Sequence, residues 1–187
     1  MNLVPDSYSK PAAEKSRISL KIWSRQLLRA ELLVAEKLVE MQQSPLVVCH
    51  NDLLLANFLH DEKNEKVTII DYEYLAPNPA AFDLANHFNE YAGTEDVDFS
   101  NVPDEKYKKW WINQYLTQFY SRDPTEEENK KWHSAVTQME PLSHLFWGIW
   151  ALMQAEISEI EFDYVTYAHL RISEYFKLKN ELICLKK

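Results

Sequence analysis

Glycine is nearly missing from this chain: Gly93 and Gly148 are the only two in 187 residues. Average usage is roughly 7%, so no stretch can form a glycine-rich loop that cradles phosphates with backbone amides. A basic face is missing as well. The formal net charge is -9, which argues against a nucleic-acid partner, because neutralising phosphates needs clustered Lys and Arg. An anionic surface suits small cations better. Cysteine is scarce: Cys49 and Cys184 lie far apart and form no CxxC pair, which reads as free thiols in a reducing compartment. No apolar run approaches membrane-spanning length, and the opening "MNLVPDSYSKPAAEK" lacks a charged-then-apolar signal pattern. No membrane span is therefore expected, and the default location is cytoplasmic.

What is present fits one ordered domain. The mass is 22.1 kDa and hydrophobic residues make up 46%, enough for a sizeable core. Residues 1–13 read as a loose lead-in. From Glu14 to Gln43, the spacing of Ile18, Ile22, Leu27, Val34, Leu38 and Met41 predicts one long amphipathic helix, closed by Ser44–Pro45. "LVVC" then reads as a short buried strand, and "NFLH" and "VTIID" as two strands joined by the polar loop "DEKNEK". After "APNP" the pattern is helical. Gly93 is expected to cap one helix C-terminus. Asp123, Pro124 and Glu126 suggest N-cap, first turn and capping box of another, and Pro141 is expected to break or kink it. A last helix is expected from Phe162 to Leu182. The fold class is α+β, mostly helical, with a lead-in and helix over 1–45 and the remaining lobe over 46–187.

The residues that can carry chemistry begin at "VVCHNDLLLANFL". His50, Asp52 and Asn57 stand as H-x-D-x-x-x-x-N after an apolar run, and Asp71 ends the next apolar run in "IIDYEY". Taken singly, each could cap a turn or end a strand. Together, in this order and spacing, they match the catalytic-loop and metal-binding signature of protein kinases, with "DYE" where "DFG" would stand. Phosphoryl transfer needs a carboxylate to orient the acceptor hydroxyl, plus an amide and a carboxylate to hold Mg²⁺ on the nucleotide phosphates. His50 reads as a residue that holds loop geometry. The remaining histidines show no metal-ligand spacing such as HExxH.

A second constellation is aromatic. Trp147 and Trp150 lie three apart on a helix and share a face, with Gln154 one turn on. Tyr164 and Tyr167 repeat the spacing on the next helix. Such stripes serve as core packing or as the walls of a box for an ammonium group, and Glu90 could add a full negative charge.

The blocks "CHNDLLLAN", "IIDYEY", "FDLANHFNEYAG", "HLFWGIWALMQAEISEIEFDY" and "YAHLRISEYF" resemble the choline/ethanolamine kinases, from about Leu46 to the C-terminus. "HNDLLLAN" and "HFNEYAG…DVDFS" look closer to ethanolamine kinases, and the absence of a tyrosine just after Tyr91 departs from the choline kinase pattern. The resemblance implies the C-terminal lobe of a protein-kinase-like fold, with ATP and Mg²⁺ as cofactors. The implied reaction is phosphoryl transfer to ethanolamine, the first step of phosphatidylethanolamine synthesis, with choline as the alternative acceptor. It implies Asp52 as catalytic base, Asn57 and Asp71 as metal ligands, His50 and Glu73 as supporting residues, and Glu90, Trp147, Trp150, Tyr164, Tyr167 and Gln154 as the amino-alcohol pocket. The family's N-terminal lobe has no counterpart in the first 45 residues. The isolated chain is therefore expected to bind Mg²⁺–ATP weakly and to turn over slowly or not at all, and to expose apolar surface that favours a homodimer; the reading from another class is a non-catalytic regulatory or binding module.

Overall fold

Ser24 starts the first helix of the computed structural model, which describes residues 23–41 and 44–185. Its hydroxyl accepts the Leu27 N–H at 3.2 Å, satisfying one of the donors that a helix start leaves unpaired. Helix α1 therefore spans Arg25–Glu40. A single run from Glu14 through this point is ruled out by the cap, and the rest of that expectation lies outside the described residues. The buried stripe differs in part from the expected one. Leu28 and Glu31 are buried and Leu27 and Leu38 half-buried, while Val34 and Met41 are exposed.

The β element is two separate antiparallel ribbons. β1 (Leu46–Cys49) pairs with β4 (Ala76–Pro79), and β2 (Phe58–Asp61) pairs with β3 (Lys66–Ile69). The β1–β4 pairing places a strand at "APNP", which the sequence pattern marked only as the point after which helices begin. Ala80 donates to the Pro45 carbonyl at 2.9 Å, so in the alternating ladder Asn78 faces β1 while Pro77 and Pro79 fall on positions that need no donor. Nor is β1 a buried strand: Leu46 is 71% and Val48 67% exposed, and only Cys49 is buried. The β2–β3 loop turns without glycine. Asp61 accepts the N–H groups of Lys63 and Asn64, and Glu65 takes the left-handed conformation at φ 48°.

Four helices follow. α2 (Ala80–Asn89) is buried on almost every face, passes into a tight turn at Glu90–Ala92, and ends at Gly93 with φ 82°, the cap expected from sequence. α3 (Glu105–Tyr120) is opened by Asp104, which accepts the Tyr107 N–H. α4 (Glu126–Ile157) is capped by Thr125 rather than Asp123: the Thr125 hydroxyl accepts from Glu128 N–H while the Glu128 carboxylate accepts the Thr125 N–H. The capping box is thus two residues later than expected. α4 continues through Pro141 without a break. The lost helical bond there costs about 3 kcal/mol, and the burial of Met139, Leu142 and Leu145 around it offsets that cost. α5 spans Tyr164–Leu185.

The described residues divide into two compact units, 23–41 with 141–185 and 44–140, the division falling within α4. In the second, Lys108 and Glu140 form a buried ion pair at 2.7 Å, and Asn89 donates to the Glu140 carbonyl. In the first, Glu31 of α1 accepts from Tyr175 and Lys179 of α5, and Trp23 stacks on Phe176. Among the described residues no helix is long and apolar enough to cross a membrane.

Candidate active site

The H-x-D-x-x-x-x-N segment is a backbone path that the chain would not adopt unaided. Asn51 has φ 67° and Asp71 φ 64°, a region that costs a residue with a Cβ on the order of 1–3 kcal/mol. Side-chain hydrogen bonds hold both places. The Asp83 carboxylate accepts the His50 N–H at 2.8 Å and the Asn51 N–H at 2.7 Å. The Asn51 amide donates to the Tyr74 carbonyl at 2.8 Å and accepts from Asn78 at 2.9 Å. His87, three residues after Leu84 on the same helix, bonds the Leu53 carbonyl at 2.9 Å. Burial pushes the His87 imidazole below its ordinary range, so it serves as a neutral N–H donor there.

His50 ties the loop to the exit of β3. Its Nδ1 accepts the Asp52 N–H at 3.3 Å, so Nε2 carries the proton and donates to the Ile70 carbonyl at 2.8 Å. Ile70 is held from its other side too, its N–H donating to the Asn57 carbonyl at 3.0 Å. Asp71 is therefore delivered by a residue pinned at both ends. His50 thus bridges the loop and the Ile70 carbonyl.

Asp52 and Asn57 are both buried, and Asp71 is exposed. The Asn57 amide nitrogen donates to the Asp52 carbonyl at 2.9 Å and to its carboxylate at 3.1 Å. Both amide protons are engaged there, which leaves the Asn57 Oδ1 as a donor atom for a hard cation. Burial, with the negative charge of Glu90 behind it, pushes the Asp52 carboxyl up to about 6, against a smaller downward pull from the Asn57 bond. At neutral pH this carboxylate is ionised yet more basic than an ordinary aspartate, as a general base requires. Glu73 sits in the turn closed by Leu75 N–H on the Tyr72 carbonyl and is exposed.

Among the described residues no three His, Cys, Asp or Glu side chains gather as a metal cage. Mg²⁺ does not demand one: it is held by one or two carboxylates, with waters and substrate phosphates completing its shell. An amide oxygen at Asn57 and an exposed carboxylate at Asp71 are the right donor chemistry. The thiol of Cys49, next to the loop, is pushed up to about 12, chiefly by burial and then by the charge of Asp83. It is inert as a nucleophile.

The aromatic residues form a cluster within the unit of residues 141–185. Trp147 and Trp150 meet edge to face at 5.3 Å, and Trp150 meets Tyr164 at 5.7 Å. Phe162 completes the set, 4.8 Å from Tyr164 and 5.6 Å from Tyr167. The Tyr164 hydroxyl bonds Ser158, and the buried Arg171 donates to the Tyr167 hydroxyl at 3.1 Å. Gln154 is half-buried one turn beyond Trp150. Glu90 is buried in the other unit, where its charge acts on Asp52 and His87.

Sequence reasoning missed Asp83, His87, Asn51, Asn78 and Phe162. A signal existed for the first two: Asp83 and His87 are four apart in "FDLANHF", hence on one helical face. Phe162 stands two before Tyr164 and could have been read with it.

Residues 4–176 match the family model described as choline/ethanolamine kinase. Ethanolamine kinase 1 of Mus musculus is 42% identical over 190 residues, covering 99% of this chain and 52% of that protein. Ethanolamine kinase 1 of Homo sapiens is 40% identical, again over 99% of this chain but 42% of that protein. The chain thus spans about half the length of the curated relatives it matches. Among solved structures, an ethanolamine kinase of Plasmodium vivax superposes with a TM-score of 0.75 at 31% identity, over 83% of this chain and 41% of that one. A choline kinase from Cryptosporidium parvum gives 0.69 at 26% identity, over 97% of this chain and 60% of that one.

Proposed function

This chain belongs to the choline/ethanolamine kinase family, and from that premise we propose that it carries the acceptor- and metal-binding part of an ethanolamine kinase. The reaction is ATP-dependent transfer of a phosphoryl group to the hydroxyl of ethanolamine. Asp52 accepts the hydroxyl proton as the oxygen attacks, and the Asn57–Asp52 bond keeps its carboxylate aimed. Asn57 and Asp71 would hold Mg²⁺, which when bound neutralises charge on the nucleotide phosphates. His50 and Asp83 hold the loop that presents these groups, and Glu73 lends negative charge near Asp71. Trp147, Trp150, Tyr164 and Tyr167 would take the ammonium group through their ring faces. Gln154 would offer a hydrogen-bond acceptor that a primary ammonium needs and a quaternary one cannot use, and Glu90 would act through its charge on Asp52.

The observation that carries this reading is the Asp52 carboxyl, buried, bonded to Asn57 and pushed up to about 6. The relatives named ethanolamine kinase, at 34–42% identity over nearly all of this chain, favour ethanolamine over choline. The test is transfer of label from γ-labelled ATP in the presence of Mg²⁺. Slow formation of phosphoethanolamine, lost in Asp52→Ala, is expected. Faster product from choline would replace ethanolamine as the acceptor. If no product forms and calorimetry detects neither Mg²⁺–ATP nor ethanolamine binding, the proposal fails.

A further inference from the structure

Two glycines serve this chain, and they serve different needs. Gly93 supplies a positive φ; Gly148 does not, since it lies in the interior of α4. An interior helical glycine is unfavourable by about 0.5–1 kcal/mol relative to alanine, so its presence calls for a packing reason. A Cβ at Gly148 would fall 2.5 Å from Ile172 Cγ1, 3.3 Å from its Cδ1 and 3.4 Å from its backbone nitrogen. Here α4 and α5 touch nearly backbone to side chain. Ile172 is fully buried and β-branched, so it has few rotamers into which to retreat.

The contact stands among the aromatic residues on both helices. Trp147 precedes Gly148 and Trp150 follows two positions later. Arg171, beside Ile172, bonds the Tyr167 hydroxyl, and Trp150 reaches Tyr164 across the two helices at 5.7 Å. We infer that Gly148 is a positioning residue that sets the separation of α4 and α5 at the aromatic cluster, and thereby the size of ammonium group the cluster accepts. The inference rests on the reading of that cluster as the amino-alcohol box. With glycine the helices close on a small primary ammonium. A methyl at this position wedges the helices apart, loosening the fit around ethanolamine while making room for the three methyl groups of choline.

Calorimetric titration of the chain with ethanolamine and with choline, in Mg²⁺ and a non-hydrolysable ATP analogue, tests this. Gly148→Ala is expected to weaken ethanolamine by about tenfold, the scale of one misplaced methyl in a fitted pocket, and to leave choline within about twofold. The double variant Gly148→Ala with Ile172→Ala, which moves the bulk from one helix to the other, is expected to restore the wild-type preference, and it keeps the question answerable if Gly148→Ala alone does not fold. A lowered melting temperature with an unchanged ethanolamine-to-choline affinity ratio would overturn the inference. So would a double variant that stays as unselective as Gly148→Ala. Binding of neither amino alcohol to the unaltered chain would overturn the box reading itself, and the inference with it.

Discussion

The loop around Asp52 and the helical aromatic cluster are built by opposite means. Around Asp52 the backbone is strained at Asn51 and Asp71, the flanking strands are mostly exposed, and order comes from directed bonds: Asp83 to two N–H groups, His50 to Ile70, Asn57 to Asp52. In residues 141–185 the order comes from contact. Leu145, Leu152, Ile172 and Tyr175 are buried and rings meet rings at 4.8–5.7 Å. A hydrogen-bonded loop fixes a few atoms closely for little net stability. Packed helices contribute most of the stability and locate side chains by shape.

That contrast can be broken by substitution. Leu145→Ala, in the packed part, is expected to cost about 2–5 kcal/mol, read as a lower denaturant midpoint for the whole chain. Asn51→Ala, in the loop, removes the side-chain amide contacts with Cys49, Tyr74, Ala76 and Asn78 and keeps the strained φ, for a cost of about 2 kcal/mol. Asn51→Gly should cost about 1 kcal/mol less than the alanine variant because glycine tolerates φ 67°. Equal stability of the two Asn51 variants would mean that the strain is not there. Should Asn51→Ala prove as damaging as Leu145→Ala, the distinction between latched loop and packed helices fails.

An effect of similar size to the loss of the Asn51 amide has the opposite sign. The Asp52 carboxyl titrates at 3.8 in its ordinary state and is raised to about 6 in the fold. The folded chain therefore holds an extra proton between those values, so stability falls as pH rises from about 4 to about 6 and the cost is complete above that. Asp52→Asn is expected to be more stable than the unaltered chain at pH 7.5 by about 2 kcal/mol, and no more stable at pH 4. Urea denaturation at the two pH values checks it. Smallest of all, Thr125→Ala should cost about 1 kcal/mol through loss of the α4 capping box, whereas Asp123→Ala should leave stability within about 0.5 kcal/mol.

The part legible in the sequence was the part whose polarity is out of place. An Asp and an Asn five positions apart after an apolar run, followed by an Asp at the next strand's end, have few readings. Gly93 at the close of α2 was legible for the same reason: one residue type suits one backbone state. The latches were not legible, because Asp83 and His87 look like ordinary polar positions until α2 is placed beside the loop. β4 was hidden by its prolines, whose missing donors matter only once the ladder's alternation is known. The exposure of Leu46 and Val48 was hidden by apolarity itself, since a two-stranded ribbon can leave one apolar face open. At α4 both Asp123 and Thr125 are residue types that fit a cap, and only the bonds between Thr125 and Glu128 decide.

A phosphoryl-transfer role for Asp52 depends most directly on its charge state. Carbon-13 NMR of its side-chain carboxyl, titrated with and without Mg²⁺–ATP, reads that state without requiring turnover. The expected result is a midpoint near 6, moved down by about one unit or more when the cation is bound close by. A midpoint near the ordinary 3.8, unmoved by Mg²⁺–ATP, would contradict the assignment of Asp52, Asn57 and Asp71 to phosphoryl transfer.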